Sequence, residues 1–152
     1  ASLDTSGGAF GPLVADVRVI EIPQAVSALL ASDPTLTYDA ATGKFYKAIN
    51  SQQTWIAARD AAIATSLNGV SGQLVTISSQ YENIIVHSLS QSISNDVWLG
   101  ASDQTTEGTW RWQNGTQDGA TFWIGVSNGT QQPNQWTNWA ANEPNDFGGV
   151  QD

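Results

Sequence analysis

The chain has 152 residues, 40% of them hydrophobic and seven of them Trp, which is enough for one domain with a buried core and short for two. Fourteen acidic against five basic residues give a formal charge of -9, which opposes binding to nucleic acid or anionic lipid, and no run of 18 apolar residues is present to cross a bilayer. The absence of cysteine excludes disulfides and thiolate metal sites, and it leaves the redox compartment open.

The opening "ASLDTSGGAFGPL" has no basic region followed by an apolar stretch and does not read as a signal peptide. Residues 14–22, "VADVRVIEI", alternate as a strand does, and Pro23 suits the first turn of a helix over residues 24–32, where Val26, Leu29 and Leu30 share a face. Residues 32–43, "SDPTLTYDAATG", read as loop and turn. We therefore expect residues 1–43 to form an N-terminal strand and linker, either the tail of a preceding β-sandwich module or an extra strand on the main domain, which runs over residues 44–152.

In the main domain "KFYKAI" predicts a strand, and "SQQTWIAARDAAIATSL" predicts an amphipathic helix with Trp55, Ala58 and Ala62, flanked by Ile56 and Ile63, as its buried stripe. "GQLVTI" predicts another strand. Ser79 followed by Glu82 is a capping box opening a second helix, "SQYENIIVHSLSQSI", with Tyr81, Ile85, Leu89 and Ile93 on one face. Beyond it the helical period disappears, and "DVWLGAS", "GTWRWQ" and "TFWIGV" read as short strands. Few residues from 113 to 152 can be regular. A loop region that long, with several tryptophans in it or on its edge, points to ordered functional loops over disorder.

Between residues 101 and 152 lie Asp103, Glu107, Asp118, Glu143, Asp146 and Asp152 against Arg111 alone, a distribution that repels itself unless a cation answers it or solvent screens it. Trp98, Trp110, Trp112 and Trp123 sit on strand-like runs and are expected to pack in the core or its walls. His87, the single histidine, lies in a helix without a partner motif and reads as structural. "GVSNG", residues 125–129, matches the G-x-S-x-G string of serine hydrolases, but no helix follows it and no acid is paired with His87 by any motif. The carboxylates could serve a glycosidase only at a separation the sequence does not give. "NGT" at 114–116 and 128–130 satisfies the N-glycosylation string and also reads simply as turns.

Taken in order, "KFYKAI", "WIAARDAAI", "GQLVTISSQYENIIVHSL", "WLGASDQTTEGTWRW" and "TNWAANEPND" resemble a C-type lectin-like domain over residues 44–152. The resemblance is closest to disulfide-free bacterial modules of large secreted or surface proteins. It implies an α+β C-type lectin-like fold, two helices flanking small antiparallel sheets with a long calcium-binding loop region. By this resemblance Glu143 and Asn145 are ligands of a sugar-binding calcium and also hydrogen-bond two neighbouring hydroxyls of the sugar, across a cis Glu143–Pro144 bond. The Glu-Pro-Asn order resembles members that take mannose, fucose or glucose type hydroxyls.

Asp103, Glu107, Asp146 and Asp152 match ligands of an auxiliary calcium site, and all these residues, with Gln151, carry the hard oxygens that Ca2+ prefers. Gln151 stands where the family usually has Glu, which removes a negative charge and weakens the expected calcium binding. The family also continues with a Trp-Asn-Asp strand, so the domain is expected to be incomplete at Asp152. Of the loop tryptophans, Trp136 is the candidate for stacking on sugar, whereas Trp139 packs beneath the site in the family.

The reading is therefore a calcium-dependent carbohydrate-binding module of a larger extracellular or cell-surface adhesin-type protein, with cell-surface glycans as partners, no catalysis, no nucleic acid and no membrane insertion. The alternative is a protein- or ice-binding module on the same fold with structural or no calcium.

Overall fold

The computed structural model describes residues 24–93 and 96–145; the strand read over residues 14–22 lies outside them. Helix α1 spans Gln24–Ser32, and its half-buried positions are Val26, Leu29 and Leu30, the face that the spacing predicts. The helix ends where the Asp33 N–H and the Ser32 hydroxyl both donate to the Leu29 carbonyl.

Strand β1, Thr37–Asp39, falls where the sequence reading has only loop and turn. It pairs antiparallel with β2, Lys44–Tyr46, with Tyr38 opposite Phe45 and their ring centroids 4.8 Å apart. Asp39 makes this hairpin possible. Its carboxylate accepts the Ala41 N–H at 2.9 Å and the Thr42 hydroxyl at 2.5 Å, while Gly43 supplies the left-handed backbone at φ 71 that closes the loop. The hairpin straddles the 43/44 junction between the front segment and the main domain.

Helix α2, Trp55–Ala64, is capped by Thr54, whose hydroxyl accepts the Ala57 N–H at 3.3 Å. Trp55, Ala58 and Ala62 are its half-buried stripe, and the Trp55 indole donates to the Leu99 carbonyl at 2.8 Å. Ile56 and Ile63 are instead 49% and 45% exposed. At about 100° per residue they sit roughly a quarter-turn off the line through Trp55 and Ala62, too far round to reach the same neighbours.

A small hairpin that the sequence reading missed follows, β3 at Ser66–Leu67 and β4 at Val70–Ser71. Its two loop residues, Asn68 and Gly69, have φ of 52 and 79, the pattern of the two-residue turn that Asn-Gly favours. "GQLVTI" then runs without regular structure and joins no ladder among the described residues. It is tied to the rest of the molecule at Gly100, whose N–H donates to the Val75 carbonyl at 2.8 Å. A Cβ on Gly100 would lie 2.9 Å from the Leu74 carbonyl oxygen, so only glycine permits that approach.

Helix α3 spans Gln80–Ile93; Glu82 and Val86 are its buried residues, and of the expected face Ile85, Leu89 and Ile93 are half-buried while Tyr81 is 55% exposed. Half of the expected capping box is present, the Ser79 hydroxyl accepting the Glu82 N–H at 3.2 Å. The Glu82 carboxylate reaches one residue further back, to the N–H and hydroxyl of Ser78, and across to the Lys44 ammonium at 2.5 Å and the Tyr46 hydroxyl at 2.9 Å. These bonds around the buried Glu82 carboxylate, with the partly exposed Lys44 as its cation, tie the start of the helix to β2.

The main sheet follows, in the order β5 (Ala101–Ser102), β6 (Thr109–Trp112), β7 (Thr121–Ile124) and β8 (Thr130–Gln131), each antiparallel to its neighbour. The three strand-like runs of the sequence are thus real but shorter, and β8 is an addition. "GVSNG" is the connection between β7 and β8, a strand-to-strand turn and not the strand-to-helix elbow of a serine nucleophile.

Ile77, Val86, Trp112 and Phe122 form the buried core, with Trp110, Trp123, Trp136 and Trp139 packed against it. Trp112 stacks on Phe122 at 4.3 Å and Phe122 on Trp139 at 5.9 Å between centroids. Trp98 departs from the expected wall packing: it is 50% exposed and tethered by its indole N–H to the Gln53 carbonyl at 2.8 Å. The fold among the described residues is thus α+β, helices beside small antiparallel sheets. No helix among them is long and apolar enough to cross a membrane.

Candidate functional site

After β8 the chain runs without regular structure to Asn145, and aromatic anchors hold it in place. Trp139 meets Trp110 edge-on at 5.2 Å and Trp123 at 6.2 Å, besides its stack on Phe122. Polar bonds fix the first half of the loop. The Gln132 N–H donates to the Phe122 carbonyl at 2.9 Å, the Gln131 amide to the Gln135 carbonyl at 2.5 Å, and the Thr137 hydroxyl to the Gln131 amide oxygen at 2.8 Å. Asn142, at φ 71, then turns the chain, and the Glu143 N–H donates to the Ala140 carbonyl at 3.0 Å.

The Glu143–Pro144 bond is cis, as the resemblance implies. Pro144 is buried and Asn145 exposed, so the proline forms the base of the tip and its two neighbours carry the polar groups. The Asn145 amide donates to Glu143 Oε1 at 2.7 Å, and the Asn145 backbone N–H donates to Oε2 at 3.1 Å. A carboxylate and an amide therefore sit side by side on one exposed tip. The Asn145 Nδ2–H now occupies Oε1, and turning the amide about its last torsion would present Oδ1 beside the carboxylate in its place. The pair suits a hard cation, supplying two of the six to eight oxygens that calcium takes.

The auxiliary residues are placed differently. Asp103 is 2% exposed, its Oδ2 accepting the Gly108 N–H at 3.1 Å and its carbonyl the Thr106 N–H at 2.9 Å, so that it shapes the 103–108 loop from inside. Glu107 lies exposed on that loop. Asp146, Gln151 and Asp152 lie outside the described residues. Among the described residues no three His, Cys, Asp or Glu side chains come together to hold a metal.

Beside the tip is a cavity of about 280 Å³ whose walls include Trp98, Trp110, Trp112, Phe122, Trp136 and Trp139, with Asn138, Glu143 and Pro144 also lining it. The buried indole N–H groups of Trp112 and Trp139 have no hydrogen-bond partner among the described residues. Trp136, the expected stacking residue, is half-buried and packs against the core. Asn138 and the inward side of Trp98 were not singled out from the sequence. Asn138 sits inside the quoted loop motif, two residues past Trp136, and that position was the only available signal. His87 is exposed on α3, along a wide cleft of about 850 Å³ that Asp96 and Asn138 also line.

The family model described as Lectin C-type domain matches residues 68–150. Among curated proteins, the chain is 35% identical over 120 residues to Halomucin of Haloquadratum walsbyi, covering 79% of this chain and 1% of that protein. It is 33% identical over 97 residues to Lectin BRA-3 of Megabalanus rosa, 63% of this chain and 53% of the relative. It is also 39% identical over 59 residues to Echinoidin of Heliocidaris crassispina, 36% of this chain and 40% of the relative. The chain thus spans from a hundredth to about half of the length of these relatives. No solved structure gives a significant match.

Proposed function

This chain belongs to the C-type lectin domain family, and from that premise we propose that it is a calcium-dependent carbohydrate-binding module of a larger extracellular adhesin-type protein. The substrates in this reading are vicinal diols of mannose, fucose or glucose type. Two of the relatives described above are named Halomucin and Lectin BRA-3, names that suit a role outside the cell. The observation that carries the reading is the pairing of the half-buried Glu143 carboxylate with the exposed Asn145 amide at the loop tip.

Calcium, when bound, supplies direct coordination of two adjacent hydroxyl oxygens. The remaining work belongs to the chain. The Glu143 carboxylate accepts a hydrogen bond from one hydroxyl, the Asn145 Nδ2–H donates to the oxygen of another, and the two together select neighbouring hydroxyls at the spacing of the tip. Asp103, Glu107, Asp146, Gln151 and Asp152 are proposed as further calcium ligands and Trp136 as a stacking wall. With Gln in place of Glu at 151 the site carries less negative charge, so calcium affinity is weak in this reading, and Gln151→Glu is expected to tighten it.

Glu143→Ala and Asn145→Ala should each cut calcium-dependent sugar affinity by tenfold or more, on the order of 1.4 kcal/mol or above, and should reduce the rise in thermal midpoint that calcium gives. Full sugar binding by both variants would sink the assignment. A second reading, a protein- or ice-binding surface, draws on the exposed apolar residues Ile56, Ile84 and Trp98. Ligand binding that survives EDTA and is not competed by simple sugars would favour it.

A further inference from the structure

We propose that Asn128, and not Asn114, is an acceptor for an N-linked glycan. This inference rests on the extracellular placement above and on two Asn-Gly-Thr strings whose surroundings differ. In such a transfer the acceptor Asn Nδ2 bonds to the anomeric carbon of a lipid-linked oligosaccharide. The bond from that carbon to the lipid phosphate oxygen breaks, the lipid phosphate leaves with the electron pair, and one amide proton is lost to the transferase's base. The Asn amide and the hydroxyl two residues on must both be reachable.

At residues 128–130 both conditions are met. Asn128 and Thr130 are exposed, and neither the Asn128 amide nor the Thr130 hydroxyl makes a hydrogen bond among the described residues. Gly129 is fixed by packing: a Cβ there would lie 2.3 Å from the Ile124 carbonyl oxygen and 2.7 Å from Trp123 Nε1, and its N–H closes a turn on the Val126 carbonyl at 2.7 Å. Sheet geometry therefore accounts for the glycine and for Thr130, which pairs with Ile124 in β8, but not for an asparagine at 128. Asn128 is not in the left-handed region that would call for asparagine on backbone grounds. The turn also leads into β8, the last strand of its sheet, next to Ile124 and Val126, which are 48% and 43% exposed. A glycan here would shield an open strand edge and its apolar neighbours.

Asn114 differs in burial and in backbone conformation. It is half-buried, its φ of 73 is a conformation that asparagine tolerates better than most residues, and its N–H is held by the Asp118 carboxylate at 2.7 Å. Gly115 has φ 70, and a Cβ on it would lie 2.4 Å from the Gln73 amide nitrogen, so this string packs against its neighbours. Turn geometry explains Asn114 and Gly115.

The test is secretion of the protein from a host whose secretory pathway transfers N-linked glycans, followed by glycopeptide mass spectrometry. Wild type should carry one glycan at Asn128, lost in Asn128→Gln and Thr130→Ala and retained in Thr130→Ser and Asn114→Gln. Circular dichroism of each variant establishes that it is folded. A folded, secreted chain unmodified at Asn128, or one modified at Asn114, would overturn the inference. The result is independent of sugar binding: a glycan at Asn128 in a protein with no calcium-dependent sugar heat would leave this inference standing and remove the lectin reading.

Discussion

Glu82 carries the largest electrostatic consequence among the described residues. Burial alone would favour its neutral form, but the Lys44 ammonium, the Ser78 hydroxyl and N–H and the Tyr46 hydroxyl outweigh it and hold the carboxyl down from 4.5 to about 2. Burial and the adjacent Glu82 charge push the Tyr46 phenol up. A depressed carboxylate contributes stability that is complete above its unfolded value and lost as pH falls through the folded one. The loss from Glu82 should therefore fall between about pH 4.5 and about 2, and its size is on the order of 3 kcal/mol. Thermal melts across that window should show the decline in wild type and a flatter, lower curve in Glu82→Gln. Glu82→Ala, which leaves the Ser78 and Tyr46 donors without their acceptor and the partly exposed Lys44 without its partner, should cost about 1–3 kcal/mol in denaturant titration. An unchanged midpoint would show that the cluster contributes nothing. Gly100→Ala, whose new methyl meets backbone that cannot yield, should cost about 1–3 kcal/mol in the same measurement.

Turns and helices show where sequence pattern suffices and where it fails. In the hairpin of β3 and β4, Gly69→Ala places a side chain at φ 79 with open space around it, so the expected loss is only the backbone cost, about 1 kcal/mol by thermal melt. A loss of several kcal/mol would mean that this hairpin packs more tightly than its exposure indicates. That turn was legible, since Asn-Gly names its own geometry, yet it was read through as helix end because the alanine-rich pattern before it has no breaker. The half-buried faces of α1 and α2 were legible in outline from helical spacing. On α3 the spacing found Ile85, Leu89 and Ile93 but not the buried Glu82, because its carboxylate is bonded to residues 36 and 38 positions earlier and no local period encodes that. "GQLVTI" has the composition of a strand but no ladder partner, and partners are a tertiary property. The tip was the most legible part of the site, since Glu143, Pro144 and Asn145 are consecutive. The aromatic cavity beside it gathers Trp98 with residues about 40 positions later, which only the fold brings together.

For the molecule as a whole, the imbalance of 14 acids against 5 bases opposes the compact state by self-repulsion. Raising monovalent salt should therefore raise the thermal midpoint. Calcium should raise it further at equal ionic strength, because a bound ion neutralises charge locally and stabilises the folded form by mass action. Equal midpoints in calcium and in matched monovalent salt would argue against any bound ion. The small apolar core, four buried residues ringed by tryptophans, leaves the loop that carries Glu143 and Asn145 dependent on aromatic stacking and short hydrogen bonds. Its order and its ligand chemistry are thus linked. The most direct measurement is a calorimetric titration of the protein with mannose, in calcium and then in EDTA. The account predicts binding heat in calcium that EDTA abolishes; no heat in calcium, or the same heat in EDTA, would contradict it.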